Sequence, residues 1–322
     1  MRDMTPALSI IIVNWNTRDL LGPCLASLDA ALAGLPAKTY VVDNGSSDGS
    51  ADFVRREFPW VELVDAGRNL GFAAANNLVL GRAAGPAILL LNPDTVCRPG
   101  SLAALHAFLA ATPRAGAVGP TLTDADGAPT ITYGNLPSPR YHLLELLGPY
   151  RRRWPPCLRR VTFTRIPDAR DGTRKVGYVA GACMMIAADA LRDVGTLDER
   201  FFLYFEETDW CARAAGLGWD VYHVAGVEVV HLEGRAAARA GDFALAQFQH
   251  SYRLFVAKHR GARQVPLFRA VMFLEYGLKG AARRLLALRP GPGRARNAAV
   301  ADNFLRQARL QLRGDVAPTP PR

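Results

Sequence analysis

The chain has 322 residues, 49% of them hydrophobic and 21% charged, with a formal net charge of +10, values ordinary for a soluble globular protein with room for one large α/β domain and a small appendage. Its five cysteines, Cys24, Cys97, Cys157, Cys183 and Cys211, are scattered, which argues against a zinc cluster or a disulfide framework and suits a reducing cytoplasm. No stretch is apolar for the ~18 residues that a membrane span needs, and the run 8–13 is too short for the core of a signal peptide.

From residue 8 to about 120, apolar strands alternate with helical patterns. Strands are predicted at 9–13, 39–42, 61–64 and 87–91, and helices at 20–33, 50–58, 71–84 and 101–111. This alternation implies βαβ units and a mostly parallel sheet, an α/β fold. Residues 120–175 are less regular, with a turn signal at 123–127 and a basic aromatic loop at 150–156. Periodicity returns at 176–186, a helix is predicted over 206–216 and a strand over 221–230. After Arg235 the pattern is helical, broken at Pro266 and at 290–293. The expected organisation is a catalytic domain over 1–235, a basic helical region over 236–315 and a disordered tail over 316–322.

Four stretches carry chemistry. The apolar run 87–91 stops at Asn92-Pro93-Asp94, and Pro93 cannot continue a central strand. Asp94 is thereby displayed at the carboxyl end of a parallel strand, where open α/β sheets bind ligands. There it is a candidate ligand for a hard divalent cation, although an isolated Asn-Pro-Asp is more often a turn. Strand ends place Asn14, Asp43 and Asn44 on the same rim. The small residues 45–50 let a backbone approach a ligand, and Asp43 could accept hydrogen bonds from a base or ribose. The third stretch, 201–210, sets Glu206, Glu207 and Asp209 among aromatics; a carboxylate desolvated there gains a raised pKa suited to a general base. The fourth element, His231, ends a strand; a lone histidine is more often structural than a ligand.

In this order the stretches resemble the inverting family 2 glycosyltransferases of GT-A fold, in particular the bacterial rhamnosyltransferase-like branch. The matching pieces are 9–16, 41–50, Arg68-Asn69-Leu70-Gly71 with 72–77, 91–94, 181–186, 201–209 and His231, within residues 8 to 260. The resemblance implies a nucleotide-sugar donor held by Asn14, Asp43, Asn44, Arg68, Asn69, Gly71, Asn77 and Asn92, with Asp43 on the base. It implies a divalent cation, Mg2+ or Mn2+, on Asp94 and His231. Asn92 stands where the family's Asp-any-Asp motif has its first carboxylate. Glu207 matches the second residue of the family's Glu-Asp pair, the general base, and Glu206 or Asp209 could share that role or hold the acceptor. The branch points to dTDP-L-rhamnose as donor and a saccharide acceptor, lipid-linked, in cell-envelope polysaccharide synthesis. A UDP-sugar donor, a nucleotidyltransferase, or a silent membrane-associated scaffold on this fold are the alternatives.

The positive charge is uneven. Between Lys258 and Arg313 there are thirteen Lys or Arg against Glu275 and Asp302, a local net of +11. Such asymmetry means attraction to nucleic acid or membrane. A nucleic-acid binder would leave the carboxylates unexplained, so no nucleic-acid partner is expected. In 265–288, apolar Val265, Phe268, Met272, Tyr276 and Leu278 alternate with Arg269, Lys279, Arg283 and Arg284, the pattern of an interfacial helix. The expected location is the inner face of the cytoplasmic membrane, held peripherally on its anionic surface. Oligomeric state is not legible in the sequence.

Overall fold

The apolar run near the start forms β1 (Leu8–Asn14), buried along its whole length. Strands without an exposed face belong inside a sheet covered on both sides. The computed structural model describes residues 5–138, 141, 164–167, 172–232, 235–312 and 317–318. The basic aromatic loop at 150–156, and the tail apart from residues 317 and 318, lie outside the described residues. The chain falls into two units, one spanning Met1–Leu136 and Thr164–Ala240, the other including Gly241–Pro321.

In the first unit β1 lies between β2 (Ala37–Asp43) and β4 (Ala87–Leu91), with β3 (Glu62–Asp65) beyond β2, all parallel. Helices α1 (Arg18–Leu32), α2 (Ser50–Glu57) and α3 (Phe72–Leu80) are the crossovers. After β5 (Thr95–Cys97) and α4 (Ser101–Ala111) the chain adds β6 (Ala115–Thr123). The strand order is β3-β2-β1-β4-β11-β6-β12-β5, with β9 also paired to β12. Here β11 (Cys183–Ala187) runs antiparallel between β4 and β6, while the long β12 (Asp220–His231) is parallel to β6. The stretch predicted as one periodic segment, 176–186, is instead three short strands. These are the end of β9 (Arg174–Val176), β10 (Tyr178–Val179) and β11, separated by Gly177 and Gly181. A Cβ on Gly177 would stand 2.5 Å from the Leu136 nitrogen, so glycine is needed where the chain changes sheets. There β10 joins β7 (Tyr133–Gly134) and β8 (Thr164–Arg165) in a small second sheet. Helices α5 (Ala188–Val194) and α6 (Glu206–Gly216) follow β11.

The second unit holds most of α7 (Arg235–Arg260), then α8 (Val265–Ala287) and α9 (Arg294–Leu312). Of the apolar set read as a membrane face, Phe268, Met272 and Tyr276 are instead buried, with Tyr252 and Phe255, in this unit's own core, while Leu278 is exposed. Gly280 lets α9 approach closely, since a Cβ there would meet Leu305 at 2.8 Å.

One glycine ties the first unit's loops together. Gly71 has φ 83°, and a Cβ there would lie 2.4 Å from the Phe202 carbonyl oxygen. The next amide, of Phe72, donates to that same oxygen at 2.7 Å. Gly71→Ala should therefore lower stability by about 2 kcal/mol or more. Gly81→Ala, in open space at φ −70°, should be neutral or slightly stabilising. Denaturant midpoints of the two variants check this contrast.

Candidate active site

The site is a rim formed where β1, β2 and β4 end together. Asn14 pairs in register with Asp43, and its amide donates to Asp43 Oδ1 at 3.3 Å and to Ser46 Oγ at 3.1 Å. Thr17 Oγ1 donates to Asn14 Oδ1 at 2.6 Å, and the Ser46 amide donates to Asp43 Oδ2 at 3.1 Å. Asp43 is thus fixed at the tip of β2 with acceptor capacity left on both oxygens. Asn44 donates to Asn69 Oδ1 at 3.0 Å and accepts from the Leu70 amide at 2.8 Å. Asn69 Oδ1 also accepts from the Gly71 amide at 3.0 Å. The exposed Arg68 is carried on this loop, whose backbone comes within 2.7 Å of where a Cβ on Gly45 would be.

These bonds engage several of the residues expected to contact the donor. Asn14 and Asn44 are buried with their amides used inside the protein, as buried polar groups require. Together with Asn69 they shape and hold the rim. Asn77 lies one turn into α3, where its amide donates to Leu197 O and Glu199 Oε1, both at 2.9 Å, and accepts from the Leu197 amide at 3.1 Å. It clamps the 197–199 segment and does not reach the rim. Asp43, Arg68, Gly71 and Asn92 remain at or beside the rim.

Beyond β4, the Asn92 amide donates to Ala182 O at 2.9 Å, while Asn92 O accepts from Thr95 Oγ1 at 2.8 Å. The turn leads into β5, where Thr95 pairs with His231 of β12, and the Leu232 amide donates to the Asp94 carbonyl at 2.9 Å. This register brings His231 Nε2 to 3.3 Å from Asp94 Oδ1. Asp94 is 4% exposed, and that oxygen makes no hydrogen bond of acceptable geometry. Among the described residues no group of three or more His, Cys, Asp or Glu gathers as a cation cage. Two protein ligands fit a cation that takes its remaining oxygens from a diphosphate and water.

The carboxylate cluster is sorted by α6. Tyr204 and Phe205 adopt φ 67° and 70°, two successive left-handed residues without glycine, and turn the chain sharply into the helix. Asp209 is fully buried and accepts from Arg213 Nε at 2.9 Å. Arg213 also donates to Val194 O and Thr196 O. Asp209 is therefore an internal counter-ion, not a candidate base. Glu206 is buried, and its Oε2 has no hydrogen-bond partner. Burial first, then the charges of Glu207 and Asp209, hold its carboxyl well above the usual range. Glu207 is half-buried against Gly181, 3.4 Å from where a Cβ there would sit, and accepts from Thr208 Oγ1 at 3.2 Å. Burial raises it too. Because Ala182 accepts from Asn92, Glu207 on neighbouring Gly181 belongs to the same rim as Asp94. Tyr178, not singled out in the sequence, is buried and pushed upward by burial and then by the Glu207 charge. Gly177 and Gly181, which isolate the 178–180 segment, were the available signal.

A carboxylate rim at the open end of such a mixed, mostly parallel sheet is the architecture of a glycosyltransferase of GT-A fold. The chain belongs to glycosyl transferase family 2, whose family model matches residues 9–195. It is 33% identical over 279 residues to N-acetylglucosaminyl-diphospho-decaprenol L-rhamnosyltransferase of Mycobacterium tuberculosis, covering 82% of this chain and 89% of that protein. It is 24% identical over 257 residues to the low-salt glycan biosynthesis hexosyltransferase Agl10 of Haloferax volcanii, covering 79% and 73% respectively. Among solved structures, the mannosyltransferase PcManGT of Pyrobaculum calidifontis, in complex with GDP-Man and Mn2+, shares the fold. It superposes with a TM-score of 0.57 at 17% identity, covering 96% of this chain and 88% of that one.

The elevated Glu206 carboxyl has a consequence for stability. The folded protein retains a proton there that the unfolded chain releases above its ordinary value of 4.5. The associated stability is present below that value and is lost as pH rises toward the folded value. Glu206→Gln should leave acid stability unchanged and make the protein more stable than wild type in neutral and alkaline buffer. Thermal midpoints across pH check this, and parallel profiles would contradict it.

Proposed function

We propose that this glycosyltransferase moves L-rhamnose from dTDP-L-rhamnose to a hydroxyl of a lipid-linked saccharide, with inversion at the anomeric carbon and Glu207 as base. The observation that carries the reading is the meeting on one rim of a half-buried Glu207, raised by burial, and the Asp94–His231 pair. The 33% identity to a protein whose name gives a rhamnosyl donor and a diphospho-decaprenol acceptor supports the choice of substrates.

Asp43 receives the base or ribose, and Arg68 lies where it can meet the diphosphate. Asp94 and His231 would hold the divalent cation, Mg2+ or Mn2+, which when bound offsets charge on the leaving diphosphate. The acceptor oxygen attacks the anomeric carbon as the bond from that carbon to the diphosphate oxygen breaks. Glu207 takes the hydroxyl proton, and the nucleoside diphosphate departs. The raised carboxyl of Glu206 beside it favours the neutral form, which limits like-charge repulsion within the pair. A lipid-linked acceptor brings the enzyme to the inner face of the membrane as a peripheral protein.

Glu207→Gln keeps shape but cannot take a proton, and turnover should fall roughly 10²–10⁴-fold with donor binding retained. Asp209→Asn should instead cost mainly stability, because Arg213 loses its buried partner. A Glu206→Gln enzyme that is crippled while Glu207→Gln is active would reassign the base. Diphosphate release is measured with dTDP-L-rhamnose and with UDP-sugars in parallel, and turnover confined to a UDP-sugar would replace the donor. Asp94→Ala should abolish the stimulation of turnover by Mg2+ or Mn2+, and full activity in excess chelator would refute the cation.

A further inference from the structure

Helix α8 is apolar on two faces. One face, with Phe268, Met272 and Tyr276, is buried. On another, Leu267, Leu274, Leu278 and Leu285 follow at i, i+7, i+11 and i+18 and fall within roughly 40° of one another at helical spacing. They are 59%, 49%, 55% and 66% exposed and form a line roughly 27 Å long. Four aligned, half-exposed leucines are more than the scattered apolar residues of an ordinary surface.

The surroundings of this line select its occupant. Arg263 and Arg289 stand exposed near its two ends, and Arg294, Arg296 and Arg309 are exposed on α9. None of these five pairs with a carboxylate among the described residues. The acids of α8 and α9 are both spent: Glu275 is buried and 2.6 Å from Lys279, and Asp302 is 2.6 Å from Arg284. The surface is therefore leucine flanked by cations, with no unpaired acid on either helix. A second copy would bring the same cations to a two-fold contact, so like charge disfavours self-association through this face. No helix among the described residues is long and apolar enough to cross a membrane.

We propose that this leucine line of α8 is a docking face for an anionic lipid surface. The helix lies in the interface, its leucines reach the acyl boundary, and the arginines meet headgroup phosphates. The inference rests on the preceding reading only in giving the lipid-linked acceptor a surface on which to be met.

The test is sedimentation of the full chain with vesicles of phosphatidylcholine alone or mixed with phosphatidylglycerol, at low and high salt. Binding should be roughly tenfold or more tighter to the anionic vesicles at low salt, and should weaken as salt rises. Leu274→Glu with Leu278→Glu should abolish it, and Arg263→Glu with Arg289→Glu should weaken it. Both variants should keep the wild-type circular dichroism and transfer to a short water-soluble acceptor. If the leucine variant loses helicity, Leu285→Ser with the wild-type lipid and salt dependence decides instead. Failure of the wild type to bind anionic vesicles, equal binding by the leucine variants, or a wild-type dimer that those variants dissociate would each overturn the proposal. Vesicle binding without transfer to any acceptor would refute the proposed function and leave the docking face; transfer without vesicle binding would do the reverse.

Discussion

The site depends on a short antiparallel contact, the pairing of β5 with the end of β12. Only three residue pairs make it, yet it joins a turn after residue 91 to a strand that ends about 140 residues later. Without it Asp94 would be a turn carboxylate and His231 an ordinary strand terminus. With it, a buried carboxylate oxygen lacking a good hydrogen bond faces an imidazole nitrogen. Burying an ionised oxygen without a partner is unfavourable, and such cost is tolerated where a ligand or ion completes the shell.

The opposing wall is organised by charge. Arg213 gathers Asp209 and two carbonyls from the 194–196 segment, pinning α6 against the chain that follows α5. That arrangement consumes one of the three carboxylates and leaves the other two at the helix start, where helix amides favour negative charge but burial opposes it. Two consecutive left-handed residues, Tyr204 and Phe205, set the angle of entry. The strain ends two residues before the proposed base, and the Phe202 carbonyl just upstream is held by the Phe72 amide beside Gly71. The proposed base and the 68–71 loop thus share one mechanical support.

The first half of the sheet was legible because Leu8–Asn14 and Ala87–Leu91 are continuous apolar runs ending in polar residues. Strand β6 was not, although it is almost wholly buried. Its Gly116, Gly119 and Pro120 interrupt the apolar pattern, and the glycines admit Trp219 and Val179, whose atoms would lie 2.8 Å from an added Cβ. At the site, sequence located the acids and the histidine but not their division of labour. An asparagine facing a nucleotide and one buried as a brace have the same letter, and Asn14, Asn44 and Asn77 all hydrogen-bond within the protein. Asp209 differs from Glu207 in its i,i+4 partner, the half-buried Arg213, whose role the sequence does not display. In α8 the periodic apolar residues Phe268, Met272 and Tyr276 went to the core, and the exposed leucines lie on the other apolar stripe.

Docked on a leaflet as proposed, the leucine line on α8 would change the dimensionality of the search for substrate. An enzyme held in the plane of a leaflet encounters a lipid-tethered acceptor by lateral diffusion within a thin layer. Both reactants then have an effective concentration set by leaflet area and not by cell volume. Chemistry at the rim can proceed with weak intrinsic affinity for the saccharide itself, because the tether supplies encounter. Selectivity for acceptors carrying a long lipid would then reside in a helix that touches no sugar.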